Sequence, residues 1–358
     1  MAAHFHPLTV KQLQKETADC VIITFQIPES QMELFQYNAG QNITLRKIID
    51  GTEIRRSYSI CTAPFENKLS VAVKKVAGGL FSTFANEQLK EGDVLDVMPP
   101  TGKFNTPLNS SNKKNYLAFA AGSGITPILS IIKTTLATEI ESSFTLVYGN
   151  RFRSSILFFE ALAGLKNKYP ERFNLIHVLS REKSVSAVNF GRITATKLIE
   201  LQKVIDYKCM HETFICGPQE MLFDIKQFLE VQGVDQQNIH FELFTTSLNK
   251  EPVKLQSAGS DVGTAKSKIS IQLDGRFFNF ELAFNGESIL DAALAQGADL
   301  PYACKGGVCC TCRAVLTEGK VKMDANYALG KDELAKGFIL TCQSHPLTET
   351  VAIDFDSR

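Results

Sequence analysis

The chain has 358 residues, 44% of them hydrophobic, and its 38 basic side chains balance 38 acidic ones. A formal net charge of zero provides no global field for nucleic acid or an anionic membrane, and this length exceeds what one hydrophobic core usually organises, so two or three domains are expected. No stretch approaches the roughly 20 apolar residues of a membrane span, which predicts a cytoplasmic protein with no membrane partner. An odd count of nine cysteines argues for reduced thiols or metal ligation over a disulfide framework. No pattern specifies an oligomeric state.

Residues 1–108 carry alternating apolar segments, CVIITFQIP, NITLRK, SYSI and LSVAVKKV, separated by turn signals, and predict an antiparallel β-barrel domain. Within it stands Arg56-Ser57-Tyr58-Ser59, followed by GGLFSTF. A flavin needs an aromatic platform, a cation for its pyrophosphate and a helix start with free amides, and Arg56, Tyr58 and Gly79-Leu80-Phe81-Ser82 can supply those three. A strand with an arginine and a tyrosine is also commonplace in a barrel that binds nothing.

Residues 109–245 change rhythm. YLAFAAGSGITPILSIIKTTL reads as a buried strand, then Gly122-Ser123-Gly124, then a helix opening at Thr126-Pro127. SFTLVYGNR, FNLIHVLSRE and ETFICGP add strands with helices between, so a parallel α/β nucleotide-binding domain is predicted, its ligand at the carboxyl ends of the strands. GxGxxP departs from the dinucleotide fingerprint, and alone it fits a generic strand-to-helix turn.

Residues 246–267 are polar, with little periodicity, and read as a linker. From 268 to 358 the segments turn short and β-rich: a hairpin around Asp274-Gly275, a short helix in SILDAALAQG, then CKGGVCCTC and further strands. Cys304, Cys309, Cys312 and the distant Cys342 give C-x4-C-x2-C…C, the spacing of a plant-type [2Fe-2S] site. Thiolates suit soft iron, and Gly306 and Gly307 let the backbone curl without a Cβ clash. A four-cysteine zinc site is the competing reading, but it usually pairs two short knuckles. A Rieske centre needs two histidines, and His345 is the one histidine nearby. Cys310 is surplus, predicted to pack without bonding iron.

The order RSYS, GGLFS, GSGITP, YGNR, LSRE, CGPQEM and HFELF resembles the ferredoxin-NADP reductase family across the first 245 residues, and residues 268–358 resemble a plant-type ferredoxin domain of α+β, β-grasp fold. The resemblance implies FAD in contact with Arg56, Ser57, Tyr58 and Ser59, with Ser59 near the reactive nitrogen and Val73, Lys74 and residues 79–82 lining the remainder. It implies that Gly122, Ser123, Gly124, Thr126 and Pro127 face the nicotinamide nucleotide, that Cys216, Gly217 and Pro218 lie beside its ring, and that Phe244 must yield when it docks. Ser180 and Arg181 resemble the pair that takes a 2′-phosphate, which favours NADPH, with NADH as the alternative. Ser59, Cys216 and Phe244 are the implied catalytic set, with Cys216 positioning the ring and not attacking it.

The domain order resembles reductase components of multicomponent oxygenases. It implies electron transfer from the nucleotide through flavin and cluster to an oxygenase, such as a di-iron enzyme of aerobic aromatic degradation. Related reductases use FMN or serve aromatic-ring hydroxylases, and a redox-sensing module without turnover is the alternative of another class.

Overall fold

The computed structural model describes residues 4–183, 186–244, 266–284 and 286–357. The chain forms two compact units, one containing His6–Ile54 and Tyr58–Phe244, the other built chiefly from the described residues beyond Lys266.

The first unit opens with β1 (His6–Thr17), β2 (Cys20–Gln26), β3 (Asn42–Ile49), β4 (Thr52–Ser59), β5 (Leu69–Lys74), helix α1 (Leu80–Glu87) and β6 (Val94–Val97). The sheet order is β4-β3-β6-β1-β2-β5, and a bridge from Ile60 to Val71 on β5 curls it back on itself. Asp50 and Gly51, at φ 51° and 77°, make the tight turn between β3 and β4. Alternation sorts side chains into two cores. Val21, Ile23 and Phe25 pair with Val73, Val71 and Leu69 and fill the barrel, whereas Cys20 and Ala72 face outward into a second core.

That second core belongs to β7 (Asn115–Ala121), α2 (Ile125–Thr138), β8 (Ser143–Asn150), α3 (Phe159–Lys168), β9 (Phe173–Leu179), α4 (Ala195–Leu201), β10 (Glu212–Gly217), α5 (Gln219–Val231) and β11 (Ile239–Leu243). The strands run parallel in the order β11-β10-β7-β8-β9. Helices on both faces explain why β7 is apolar almost throughout, without alternation. The chain leaves β7 toward β8 and β9, then returns to place β10 on β7's other side. The topological switch point therefore lies between the ends of β7 and β10, where Gly122 and Gly217 sit. Pro127 is tolerated at the third position of α2 because first-turn amides have no intrahelical acceptor.

The second unit has β12 (Lys266–Leu273), β13 (Arg276–Ala283), α6 (Ile289–Ala295), β14 (Arg313–Glu318), β15 (Val321–Met323), α7 (Lys331–Ala335), β16 (Phe338–Leu340), β17 (Ser344–Pro346) and β18 (Thr350–Asp354). Its mixed sheet runs β13-β12-β18-β14-β16, with β15 and β17 as a separate ribbon. Asp274 and Gly275, at φ 50° and 71°, form the expected hairpin turn. Ser288 caps α6 by accepting from the Asp291 amide, worth about 1 kcal/mol. Ile289, Leu290, Ala292 and Ala293 bury that helix against the sheet. β12 begins at Lys266, two residues inside the stretch expected to be linker; residues 246–265 of that stretch lie outside the described residues. Among the described residues no helix is long and apolar enough to cross a membrane.

Candidate flavin, nucleotide and iron-sulfur sites

The switch point is a backbone-on-backbone contact. A Cβ on Gly124 would stand 2.2 Å from the Cys216 carbonyl oxygen, so only glycine lets the turn after β7 seat against the end of β10. Gly122, at φ 53°, has nothing within 4 Å of its would-be Cβ and leaves that face of the turn open. The Tyr148 hydroxyl donates to the Gly122 carbonyl at 2.8 Å, and Thr126 Oγ1 donates to the Ser123 carbonyl at 3.0 Å. A rigid turn with a bare approach at a switch point fits a nucleotide diphosphate.

Beside it, Ser59 at the end of β4 donates to Glu242 Oε2 at 3.1 Å. Glu242 on β11 pairs in register with Cys216 on β10. Burial pushes the Glu242 carboxyl up to about 7, with the Ser59 hydrogen bond opposing it. Burial, then the Glu242 charge, raises the Cys216 thiol, so it stays protonated and non-nucleophilic at neutral pH. Phe244, just past β11, packs on the same core. The structure thus brings Ser59 and Cys216 to Glu242, with Phe244 packed on the core that includes Cys216.

On the flavin side Arg56 is exposed, Ser57 and Tyr58 are half-buried and Ser59 is buried, in succession on β4. The Tyr58 ring lies 5.6 Å from Phe81, centroid to centroid. Phe81 itself is 1% exposed and Val73 0%, both in the barrel core, so their side chains support a flavin site from beneath and do not line it. Lys74 lies 3.5 Å from Asp19. Gly79 precedes α1, and Ser82 Oγ takes the Val76 amide at 3.1 Å, which tightens the loop ahead of Leu80 and the free first-turn amides. Platform, cation and amides fit a flavin phosphate.

At the adjacent strand ends, the Ser180 and Arg181 amides donate to the Asn150 and Arg151 carbonyls, each at 2.9 Å. Arg181 and Arg151 are both exposed there, on the flank of the turn. Pro218 is exposed where β10 gives way to α5.

In the second unit Cys304, Cys309, Cys312 and Cys342 converge. Cys304 and Cys309 sulfurs are 3.1 Å apart, and Cys342 contacts both Cys304 and Cys312. Proton sharing with Cys309 and Cys342, with help from the Gly306 and Val308 amides, drives Cys304 toward thiolate and raises the other two. A Cβ on Gly307 would meet the Ala325 carbonyl at 2.8 Å, and the buried Thr311 hydroxyl lies against Cys309. Four thiols in a backbone-lined cradle fit an iron-sulfur cluster. Cys310 turns instead toward the Ala328 carbonyl, 3.4 Å away.

Sequence reasoning passed over Glu242, Tyr148 and Arg151. Glu242 had a visible signal, as the acidic residue inside the apolar alternation of HFELF.

Three family descriptions match in this order: an oxidoreductase FAD-binding domain over residues 7–106, an oxidoreductase NAD-binding domain over 119–227, and a 2Fe-2S iron-sulfur cluster binding domain over 271–347. The chain is 46% identical over 357 residues to a subunit of the 1,2-phenylacetyl-CoA epoxidase of Escherichia coli, covering 99% of this chain and 98% of that one. It is 34% identical over 354 residues to the 3-ketosteroid-9-alpha-monooxygenase ferredoxin reductase component of Rhodococcus rhodochrous, covering 97% and 96%. Phthalate dioxygenase reductase shares the fold at a TM-score of 0.60 and 22% identity, with 98% of each chain covered. From the flavin barrel to the cysteine loop, the chain belongs to the ferredoxin-NADP reductase family, in its form carrying a C-terminal plant-type [2Fe-2S] ferredoxin domain.

Proposed function

We propose that this chain is the reductase component of a phenylacetyl-CoA epoxidase, passing electrons from NADPH through FAD and a [2Fe-2S] cluster to a di-iron oxygenase partner in phenylacetate catabolism in the cytoplasm. The observation that carries the reading is full-length similarity to the Escherichia coli epoxidase component, with all three cofactor domains in order. The full-length similarity to a 3-ketosteroid monooxygenase reductase favours, as second reading, a reductase of another multicomponent oxygenase.

The chemistry supplied by bound FAD is acceptance of a hydride and release of its two electrons singly, which a [2Fe-2S] cluster relays onward. The protein's part is positioning. Gly122–Pro127 would receive the diphosphate, the neutral Cys216 thiol would wall the nicotinamide ring, Phe244 would shield the flavin, and Arg181 would take the 2′-phosphate. Ser59 donates to Glu242, whose carboxyl can hold or give up a proton near neutral pH. Arg56, Tyr58 and the α1 amides would hold the flavin, and Cys304, Cys309, Cys312 and Cys342 would ligate iron.

The deciding experiment is an absorption spectrum of the purified protein before and after anaerobic NADPH. Flavin and iron-sulfur bands should bleach together; absence of iron, or no bleaching by either NADPH or NADH, would overturn the proposal. Arg181→Ala should raise the KM for NADPH about tenfold, a loss of ~1.4 kcal/mol, and leave the KM for NADH nearly unchanged; equal effects would remove Arg181 from the phosphate site. Cys342→Ser should lose or destabilise the cluster bands while flavin bands still bleach, and Cys310→Ser should keep both; a stable cluster in the first variant or its loss in the second would redraw the ligand set.

Glu242 predicts a pH effect. Its folded pKa lies above the ordinary 4.5, so the folded state binds the extra proton between 4.5 and about 7. The associated stability is complete below 4.5 and is lost as pH rises through about 7. Denaturant unfolding of Glu242→Gln should show a flatter stability profile across that window than the parent chain; parallel profiles would show that the carboxyl does not titrate there.

A further inference from the structure

The three-cysteine loop and the fourth cysteine are joined by two buried side chains that no ligand motif includes, Gln343 and Thr341. Gln343 follows Cys342 in a single helical turn, Thr341–Gln343, and is 3% exposed. Its Nε2 donates to the Lys305 carbonyl and to the Cys342 carbonyl, each at 2.9 Å. On the other side of Cys342, Thr341 Oγ1 donates to the Cys312 carbonyl at 3.0 Å. The segment holding the fourth cysteine thus grips the loop at both ends, next to Cys304 and at Cys312.

The Lys305 carbonyl and the Gly306 N–H are the two ends of one rigid, planar peptide unit. That N–H donates to the Cys304 sulfur at 3.3 Å. Pinning the oxygen therefore aims the hydrogen. The plane needs such a restraint because Lys305 sits at φ 51°, a left-handed conformation costing roughly 1–3 kcal/mol for a residue with a Cβ. Asp291 at 2.6 Å and the Tyr302 ring at 4.7 Å hold the Lys305 side chain, but neither fixes its carbonyl. Gly307 adds a steric fit: a Cβ there would stand 3.1 Å from Gln343 Cγ, so the loop lies directly on the glutamine.

We infer that Gln343 is a positioning residue for the [2Fe-2S] site, orienting the Lys305–Gly306 peptide so that its N–H faces the Cys304 sulfur, and thereby setting the reduction potential and the retention of the cluster. An N–H donated to a ligand sulfur stabilises the added negative charge of the reduced state, and its loss lowers the potential. The inference rests on the proposed ligand set of Cys304, Cys309, Cys312 and Cys342.

The test compares the full-length chain with Gln343→Met, which keeps length and loses the donor, and Gln343→Glu, which keeps shape and turns an acceptor toward two carbonyls. Midpoint potential by EPR-monitored titration, and the rate of iron loss to a chelator, are the readouts. Circular dichroism follows the fold. In both variants the cluster should bind its electron about tenfold more weakly, ~59 mV more negative for a one-electron couple, and release iron several-fold faster. Potentials and chelation rates equal to the parent would overturn the inference. So would cluster loss accompanied by melting of the ferredoxin fold in both variants, since that marks a merely structural residue. A parent chain without iron and sulfide would instead defeat the cofactor reading, a different failure with a different signature.

Discussion

The first unit depends on a hydrophobic core shared between barrel and parallel sheet. Cys20, Cys61 and Ala72 from the barrel pack in one cluster with Ile125, Ile128, Leu129 and Ile132 of α2. Two polar contacts cross the same seam: Ser130 Oγ donates to the Thr62 carbonyl at 2.6 Å, and Lys133 bridges to Glu66 at 3.0 Å. The Ser130 bond is fully buried, so removing its donor would leave a carbonyl unpaired at a cost of about 1–3 kcal/mol. The exposed share of the Lys133 pair makes it weaker. Because Gly124 is the N-cap of α2, anchoring the helix body on the barrel also fixes the Gly122–Gly124 turn relative to Ser59. The placement of that turn against the end of β4 is here a by-product of core packing.

The cysteine loop obeys a different constraint. It contributes few apolar side chains, so its shape comes from backbone hydrogen bonds and unusual dihedrals. Lys305 and Gly307 are both left-handed, at φ 51° and 73°, and Gly307 receives the Tyr327 amide at 2.9 Å. Such a loop is stable only where its surroundings over-determine it. The buried Cys312 and Cys342 belong to the domain core, whereas Cys304 and Cys309 are held chiefly by the loop itself. Half the proposed ligand set is thus placed by packing and half by peptide geometry.

Local patterns carried most of the fold. Period-two alternation exposed the barrel strands, the continuous apolar run of β7 exposed a covered parallel strand, and Asp274-Gly275 exposed its hairpin. What stayed illegible depends on pairing between distant segments. Lys266 and Ser267 read as linker because both are polar, and only their register against Ala283 and Leu282 makes them strand. Phe81 read as part of a ligand surface, but the amphipathic face of α1 carries it inward with Ala85. The approach of Gly124 to Cys216 is created by the parallel register of β7 and β10, and no nearby residue encodes it. Glu242 is an acidic residue within the apolar HFELF, a signal that marks it as unusual without naming its partners, whereas Gln343, between Cys342 and Ser344-His345, carries no such signal.

Cys216 and Glu242 show how one environment serves two ends. Both sit where burial disfavours charge, and the Glu242 carboxylate disfavours ionisation of Cys216 further. The thiol, with the higher intrinsic pKa, therefore stays neutral at any physiological pH, while the carboxyl is left near the point of balance. A neutral sulfur gives a polarisable wall with no competing nucleophile. A carboxyl near neutrality can respond when a neighbouring ring becomes cationic, since a nearby positive charge favours the ionised form. Hydride loss from a nicotinamide creates such a charge. In the proposed reaction an ionised Glu242 would favour a cationic ring beside it over a neutral one. Ser59, bonded to that carboxyl, ties this response to the barrel strand that carries Tyr58.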